Sequence, residues 1–268
     1  SDTEEMPYEK NRSKKVKKLK DDPIARIKGN KLGELSGIIA ALRPGEYWGH
    51  NDRGNDPKLY RFNLQGNILQ TVTLRGIEND DWEAITRLPD GTILVGGFGD
   101  NEESRDEYHI YQIPEPKTGM RDIKTVKKYA FRYSDGKSHN SEAFFVLENK
   151  VYLITKEKNK NARPTIFCID KLIESSPITA RLVSSLAIDG IVTDAAYSPT
   201  QKILAVLTYS GIGLFRVSSD SDFTQPPVRF VKADFDQCEG ICFDESDLIV
   251  TNESGEIWRY SLAALLAA

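Results

Sequence analysis

Glu142-Ala143-Phe144-Phe145, then Val151-Tyr152-Leu153-Ile154, then Ile166-Phe167-Cys168-Ile169 read as three consecutive strands. The runs are β-branched and aromatic, bounded by turn-forming residues, as suits a pleated and buried surface. The opening of this stretch recurs. Ser36-Gly37-Ile38-Ile39, Glu83-Ala84-Ile85, Asp194-Ala195-Ala196-Tyr197 and Glu239-Gly240-Ile241-Cys242 share its pattern: a small or acidic residue, then Gly or Ala, then an apolar run. The leading positions 36, 83, 142, 194 and 239 are spaced by 47, 59, 52 and 45 residues.

The sequence after each opening repeats too. A turn such as Pro44-Gly45, Pro89-Asp90-Gly91 or Pro199-Thr200 comes first. A second apolar run follows (Tyr47-Trp48, Ile93 to Val95, Ile203 to Leu207, Leu248 to Val250). After a polar loop comes a third (Leu59 to Phe62, Ile110 to Ile113, Gly213 to Val217, Ile257 to Tyr260). A fourth precedes the next opening at Thr71 to Leu74, Val126 to Phe131, Arg181 to Leu186 and Val228 to Val231. Four strands per unit of about 45–60 residues is the pattern of propeller blades. Helical periodicity is nearly absent; Leu172 to Glu174 and Leu262 to Ala268 could form short turns of helix.

The fold expected is therefore all-β, a five-bladed β-propeller of four-stranded blades. Its fifth unit supplies three strands before the chain ends, so another segment must complete it. Counting back from Ser36 by the spacing seen elsewhere places a closing N-terminal strand at residues 24–28. A six-bladed ring is the runner-up and needs a repeat that the sequence does not show. One propeller domain over 23–268 follows, with residues 1–22 as a basic extension.

Of 268 residues, 39% are hydrophobic and 28% charged, enough for a sizeable core and against wholesale disorder. No apolar run approaches the 18 residues of a transmembrane helix. The net charge of −4 disfavours a general nucleic-acid binder. It averages two unlike parts: residues 1–20 hold seven basic and four acidic side chains, leaving a body of net −7. Lys14-Lys15-Val16-Lys17-Lys18-Leu19-Lys20 could attract an anionic lipid or polyanion, or serve as a solvated tether. Cys168, Cys238 and Cys242 form no CxxC motif, and an odd number cannot be a complete disulfide framework. A monomer is expected.

In a propeller, the start of strand 1 and the end of strand 2 face the same mouth. Strand-1 starts supply Ser36, Glu83, Glu142, Asp194 and Glu239; strand-2 exits supply His50, Asn51, Asp52, Asp100, Asn101, Lys156, Tyr209 and Glu253. Arg105 and His139 lie in adjoining loops. Four carboxylates around a narrow axis cannot all stay ionised without raised pKa values or a compensating cation. Glu83, Glu142, Asp194 and Glu239 could bind a hard cation, Ca²⁺ above all, which takes 6–8 oxygen ligands. Alternatively Lys156, Arg105 or Arg53 pairs with them, or water screens them.

Ser36-Gly37, Trp48-Gly49-His50-Asn51-Asp52-Arg53-Gly54-Asn55 and Leu59-Tyr60, with Asp81-Trp82-Glu83-Ala84-Ile85, Gly99-Asp100-Asn101, Arg105 and Ile110-Tyr111, resemble a mostly bacterial propeller family. That family is close to the propellers known as "esterase-like activity of phytase". The likeness spans about residues 34–262 and is specific over 36–113. Where the family reads Gly-Asp-x-Gly-Asp-Asn, this chain has Gly96-Gly97-Phe98-Gly99-Asp100-Asn101, losing an acid at Gly97. The resemblance implies an exported or periplasmic protein with esterase or phosphoesterase activity.

Two functions follow. In a hydrolase, a cation at the four acids would polarise an ester, lactone or phosphoryl group. His50 or His139 would then act as general base, and Arg105 or Lys156 would hold a substrate anion. In a binding propeller the same mouth would capture a small molecule or peptide and the cation would tie the blades together. His50-Asn51-Asp52 could equally be a polar strand end bonded to backbone. His109 reads as an interblade or surface residue, and Trp82 as interblade packing. Serine-hydrolase chemistry is disfavoured, since no Gly-x-Ser-x-Gly occurs and only Ser138 and Ser141 flank a histidine, His139. Gly211-Ile212-Gly213 precedes no helix and is no dinucleotide fingerprint.

Overall fold

In a computed structural model, which describes residue 19 and residues 21–159, 161–174 and 176–268, each repeat folds into an antiparallel meander. A short strand, β1 (Ala25–Arg26), comes first. Unit 1 holds β2 (Leu35–Ala40), β3 (Glu46–Asn51), β4 (Lys58–Asn63) and β5 (Ile68–Leu74). Unit 2 holds β6 (Trp82–Arg87), β7 (Ile93–Gly97) and β8 (Tyr108–Ile113), then, after the short β9 (Asp122–Ile123), β10 (Lys127–Tyr133). Unit 3 holds β11 (Ser141–Leu147), β12 (Lys150–Thr155), β13 (Thr165–Ile169) and β14 (Ile178–Ser185). Unit 4 holds β15 (Val192–Ser198), β16 (Ile203–Thr208), β17 (Gly211–Arg216) and β18 (Arg229–Lys232). The last unit holds β19 (Cys238–Asp244), β20 (Asp247–Asn252) and β21 (Glu256–Ser261), and β1 pairs antiparallel with β21.

The architecture is all-β and propeller-like. First strands lie against one another in sequence: β2 on β6, β6 on β11, β11 on β15, β15 on β19, and β19 back on β2. Apolar side chains fill the space between successive units. Phe145, Ile154, Val192 and Leu204 share one cluster; Ile38, Tyr47, Cys242 and Ile249 share the cluster where the two ends of the chain meet. Trp82 is fully buried against Trp48 and Ile85 between units 1 and 2, the packing role read from sequence. All three cysteines are buried and unpaired.

Chain ends and turns add detail. Hydrogen bonds from Ile24 N–H to Ile257 O (2.7 Å) and from Ile27 N–H to Gly255 O (2.8 Å) extend the β1–β21 pairing along the predicted 24–28 segment. Leu19 N–H donates to Lys232 O; the rest of the basic run, residues 1–18 and 20, lies outside the described residues. Glu148 and Asn149 both take positive φ, as a two-residue hairpin turn of matching twist demands. Leu262–Ala267 forms a short helix, α1, capped by Ser261, whereas residues 172–174 do not. A five-residue 3-10 turn at Asp220–Thr224 and the parallel β5–β9 and β10–β14 pairings were not legible in the repeats. Among the described residues no helix is long and apolar enough to cross a membrane.

Each first strand breaks its register at its start. Pairing with the second strand jumps from Leu35 to Ile38, Trp82 to Ala84, Ser141 to Ala143, Val192 to Asp194 and Cys238 to Gly240. Such bulges leave a residue unpaired and re-aim its side chain. The residues freed are Ser36 with Gly37, then Glu83, Glu142, Thr193 and Glu239. Four of the five positions match the sequence alignment; the fourth repeat is displaced by one, from Asp194 to Thr193.

The seam between β1 and unit 1 offers a test. At Gly66, φ +84°, a Cβ would fall on the Arg26 carbonyl, whereas at Gly91, φ +90°, it would meet open space. Gly91→Ala should cost the roughly 1–2 kcal/mol of a left-handed L-residue. Gly66→Ala should lose a further roughly 1–3 kcal/mol from forced overlap. Urea unfolding of both variants checks this, and equal losses would remove β1 from the stabilising seam.

Candidate functional site

Three of the re-aimed acids converge as the repeat pattern implied. A cavity of about 220 Å³ at one mouth is lined by Ser36, Glu83, Glu142 and Glu239 from strand-1 starts. Strand-2 exits and their loops add Asp52, Arg53, Asn101, Lys156 and Glu253. Glu34 and Asp81, absent from the sequence-level candidates, complete the acidic wall. Their signal was present: each sits within two residues of a strand-1 start, on the loop entering it. Seven carboxylates thus share one small cavity with two basic side chains.

Lysine partly answers the charge problem. Lys156 Nζ lies 2.9 Å from Glu142 Oε1 and 5.6 Å from the centre of the Tyr209 ring, and the Tyr209 hydroxyl donates to Glu239 Oε1 at 3.3 Å. Burial alone would lower the Lys156 pKa, but Glu142, Tyr209 and Glu239 together outweigh it and the pKa is raised. Burial pushes Tyr209 up to about 12, with Glu239 adding to it. Burial first, then Glu142, pushes Glu239 up to about 8. Glu83 is raised well above its usual value, by burial first and then by Glu142 and Asp81. Asp52 rises to about 8 through burial and the adjoining Glu34.

Asp194 is a correction to the alignment. One residue past the bulge, it is back in the ladder opposite Leu207. It does not line the cavity. Its Oδ2 accepts the Ile241 N–H at 2.8 Å on the next first strand, while Oδ1 is buried with no hydrogen-bond partner among the described residues. Burial drives its pKa well up, despite the Ile241 and Ala195 N–H donors. Thr193, at the re-aimed position, instead faces Leu207 O and Cys238 Sγ. Among the described residues no three His, Cys, Asp or Glu side chains are grouped to hold a metal ion, so the expected four-carboxylate calcium set is not assembled as a ready-made centre.

The three proposed catalytic side chains lie away from the cavity. His50 is fully buried; Gly37 N–H donates to its Nε2 (3.2 Å) and its Nδ1 donates to Asn51 O (2.9 Å). Burial pushes its pKa down to about 4, and no lone pair remains for substrate. His139 Nε2 contacts Asp135 Oδ2 at 2.7 Å, with the ring against Tyr133 and Phe167. Arg105 is a brace: its Nη1 donates to Asp80 O and Gly99 O, both at 3.0 Å, and its guanidinium covers the Tyr108 ring. For His50 this is the alternative read from sequence, a polar strand end bonded to backbone.

Neighbouring polar residues fasten loops. Asn51 bonds Lys31 O and Glu34 N–H; Asn101 Oδ1 accepts from Asn140. Burial would raise Asp100, but donors at Ser104, Arg105 and Tyr108 hold it below its usual value. The Gly97 departure also has a cause. A Cβ there would collide with the Asp80 carboxylate, which comes from the preceding loop to accept from His109 (2.7 Å) and Tyr111 (2.9 Å). The acid lost from the strand is supplied by its neighbour. A larger cavity of about 900 Å³, lined by Leu42, Leu88, Pro89 and Tyr197, is formed by the turns at the opposite ends of the first strands and gathers no carboxylate cluster.

Fold and mouth together define an all-β, propeller-type protein with a buried acidic site. Residues 34–253 match the SdiA-regulated family, and the chain belongs to that bacterial propeller family. Among solved structures, hydrazine synthase from Kuenenia stuttgartiensis is similar at 10% identity and TM-score 0.45, covering 84% of this chain and 70% of that one. A gluconolactonase from Xanthomonas campestris is similar at 12% identity and TM-score 0.46, covering 92% and 96%. No curated protein matches.

The raised carboxyls fix a pH dependence. Asp52 and Glu239 hold their protons to about pH 8 when folded and lose them near pH 4 when unfolded. The folded state then binds more protons, so stability falls as pH rises through that window. His50, lowered to about 4, acts oppositely, and only below its unfolded pKa near 6.5. Between pH 6.5 and 8 the melting temperature should therefore fall, and Glu239→Gln should flatten the slope. A wild-type melting temperature that rises across this interval would contradict the assignment. Separately, His50→Ala should destabilise by roughly 2–4 kcal/mol, having emptied a buried site and stranded the Gly37 N–H; denaturant titration reads it directly.

Proposed function

We propose that the chain is a five-bladed β-propeller, closed by β1 on β21, whose axial mouth binds a cationic ligand. One observation carries this: seven carboxylates line a cavity of about 220 Å³ that Lys156 and Arg53 cannot neutralise. Removing so much like charge from water favours either protons or a cation. Calcium is the simplest such cation, though the side chains present would need other oxygen donors to complete its shell.

At pH 8, where the raised carboxyls begin to ionise, cations should raise the melting temperature while neutral and anionic compounds should not. Scanning fluorimetry with CaCl₂, small ammonium salts, and sugar and phosphate controls tests this. Insensitivity to every cation would sink the reading.

A second reading, hydrolysis of an ester, lactone or phosphoester, is favoured by Asp52 and Glu239. Carboxyls held at about 8 can exchange a proton near neutral pH. A substrate panel should then show turnover that Glu239→Gln reduces by a factor of 10²–10⁴, the range for general acid–base groups. In this reading His50→Ala lowers stability and leaves kcat of the folded protein unchanged. Turnover undiminished in Glu239→Gln would exclude that carboxyl.

A further inference from the structure

The outer strand of unit 1 has an edge that its neighbour covers only in part. β5 pairs with β4 along its inner edge, but on its outer edge β9 reaches Thr73 and Leu74 alone. Thr73 N–H donates outward to Arg121 O at 2.9 Å. Backbone groups of alternate residues point to the same edge of a strand. Thr71 N–H and C=O therefore face outward as well, where no strand pairs with them.

A groove of about 790 Å³ lies there, between Leu69 to Thr71 of β5 and Thr118 to Arg121 of the segment entering β9. Hydrogen bonds fix its shape. Gln70 Nε2 donates to Lys117 O and Met120 O, both at 2.8 Å, while Gln70 Oε1 accepts from Arg61 Nε at 3.0 Å. A break in register opposite Arg61 and Phe62 leaves Leu69 outside the β4–β5 ladder. Leu69 and Met120 both line the groove, yet they are 42% and 37% exposed.

The charge of the groove is positive. Arg61, Arg75 and Arg121 line it against one acid, Asp122. Arg61 is paired with Glu46, and Arg75 with Asp122. Arg121 is exposed, as are Lys117 and Lys124 on either side of it in the chain, and among the described residues none of the three forms an ion pair. In a chain of net charge −4 this is a local excess of unpaired cations.

We propose that this groove takes an extended acidic segment of a partner protein, which adds a strand to the outer edge of β5 and sets an apolar side chain against Leu69 and Met120. The added strand pairs with the Thr71 backbone groups, the source of affinity in strand addition, while its side chains give specificity. Its acids meet Arg121 and Lys117. A concave edge with outward backbone donors suits one extended chain and not a flat lipid surface. The groove shares no residue with the acidic mouth, so the inference stands independently of the function proposed there.

Fluorescence anisotropy of the full chain tests this, with an alternating glutamate–valine hexapeptide and its lysine–valine counterpart as labelled probes. The acidic peptide should bind, less tightly as salt is raised, and the basic one should not. Arg121→Glu and Leu69→Asp, both at exposed positions, should each weaken binding roughly tenfold. Exchange of the Thr71 amide, followed by NMR, should slow when the peptide is bound, as for an amide inside a ladder. Vesicles containing phosphatidylglycerol are the counter-probe, and sedimentation with them without peptide binding would overturn the peptide assignment. Equal binding of both peptides, binding of neither, or binding unaltered in both variants would overturn it too. A Thr71 amide left unprotected by bound peptide would refute strand addition.

Discussion

A break in register at the start of every first strand is the constraint on which the site depends. These five strands crowd the axis, and each sheds one or two residues from its ladder where it enters the sheet. A residue freed from pairing can turn toward the mouth instead of alternating with its neighbours. Glu83, Glu142 and Glu239 reach one cavity by this device, and Ser36 joins them. The same device keeps Asp194 out: placed one residue later, it is back in the ladder and faces the Ile241 N–H of the next unit.

Gathering acids in this way has an electrostatic consequence that runs through the whole mouth. Burial and like charge raise Glu83, Glu239 and Asp52 together, so the folded protein holds protons that its unfolded chain would release. Lys156 offsets part of this from inside the chain, pinned between Glu142 and Tyr209. The braces around the cavity are of a different kind. His50, Arg105 and Asn51 spend their polar atoms on backbone groups, locking loops rather than facing the cavity.

Much of this was legible in the repeats. Strand positions, the polar mouth and the pairing of residues 24–27 with the last unit follow from hydrophobic runs and turn residues, which act locally. The shift at Asp194 was not, because the pattern of an acid before an Ala matches Asp194-Ala195 to Glu142-Ala143, whereas the bulge of the fourth unit falls one residue earlier, at Thr193. Counting back five residues from the last paired position of the strand finds Glu142 from Leu147 and Thr193 from Ser198 alike. Gly97 looked like a lost acid for a similar reason. Sequence order does not show that Asp80 fills its space from another loop.

The amino-acid sequence by itself determined the all-β repeats, the order of strands within them and the excess of acid at their openings. Each of these depends on residue type and spacing along the chain. Only the tertiary structure decided which acids meet and which histidine is sealed. It also decided that a lysine pairs with Glu142 while Glu83 is hydrogen-bonded to other acids, Glu142 and Asp81. Those outcomes turn on one-residue registers and on side chains from distant units entering the same few ångströms, where burial and proximity, not composition, set the chemistry.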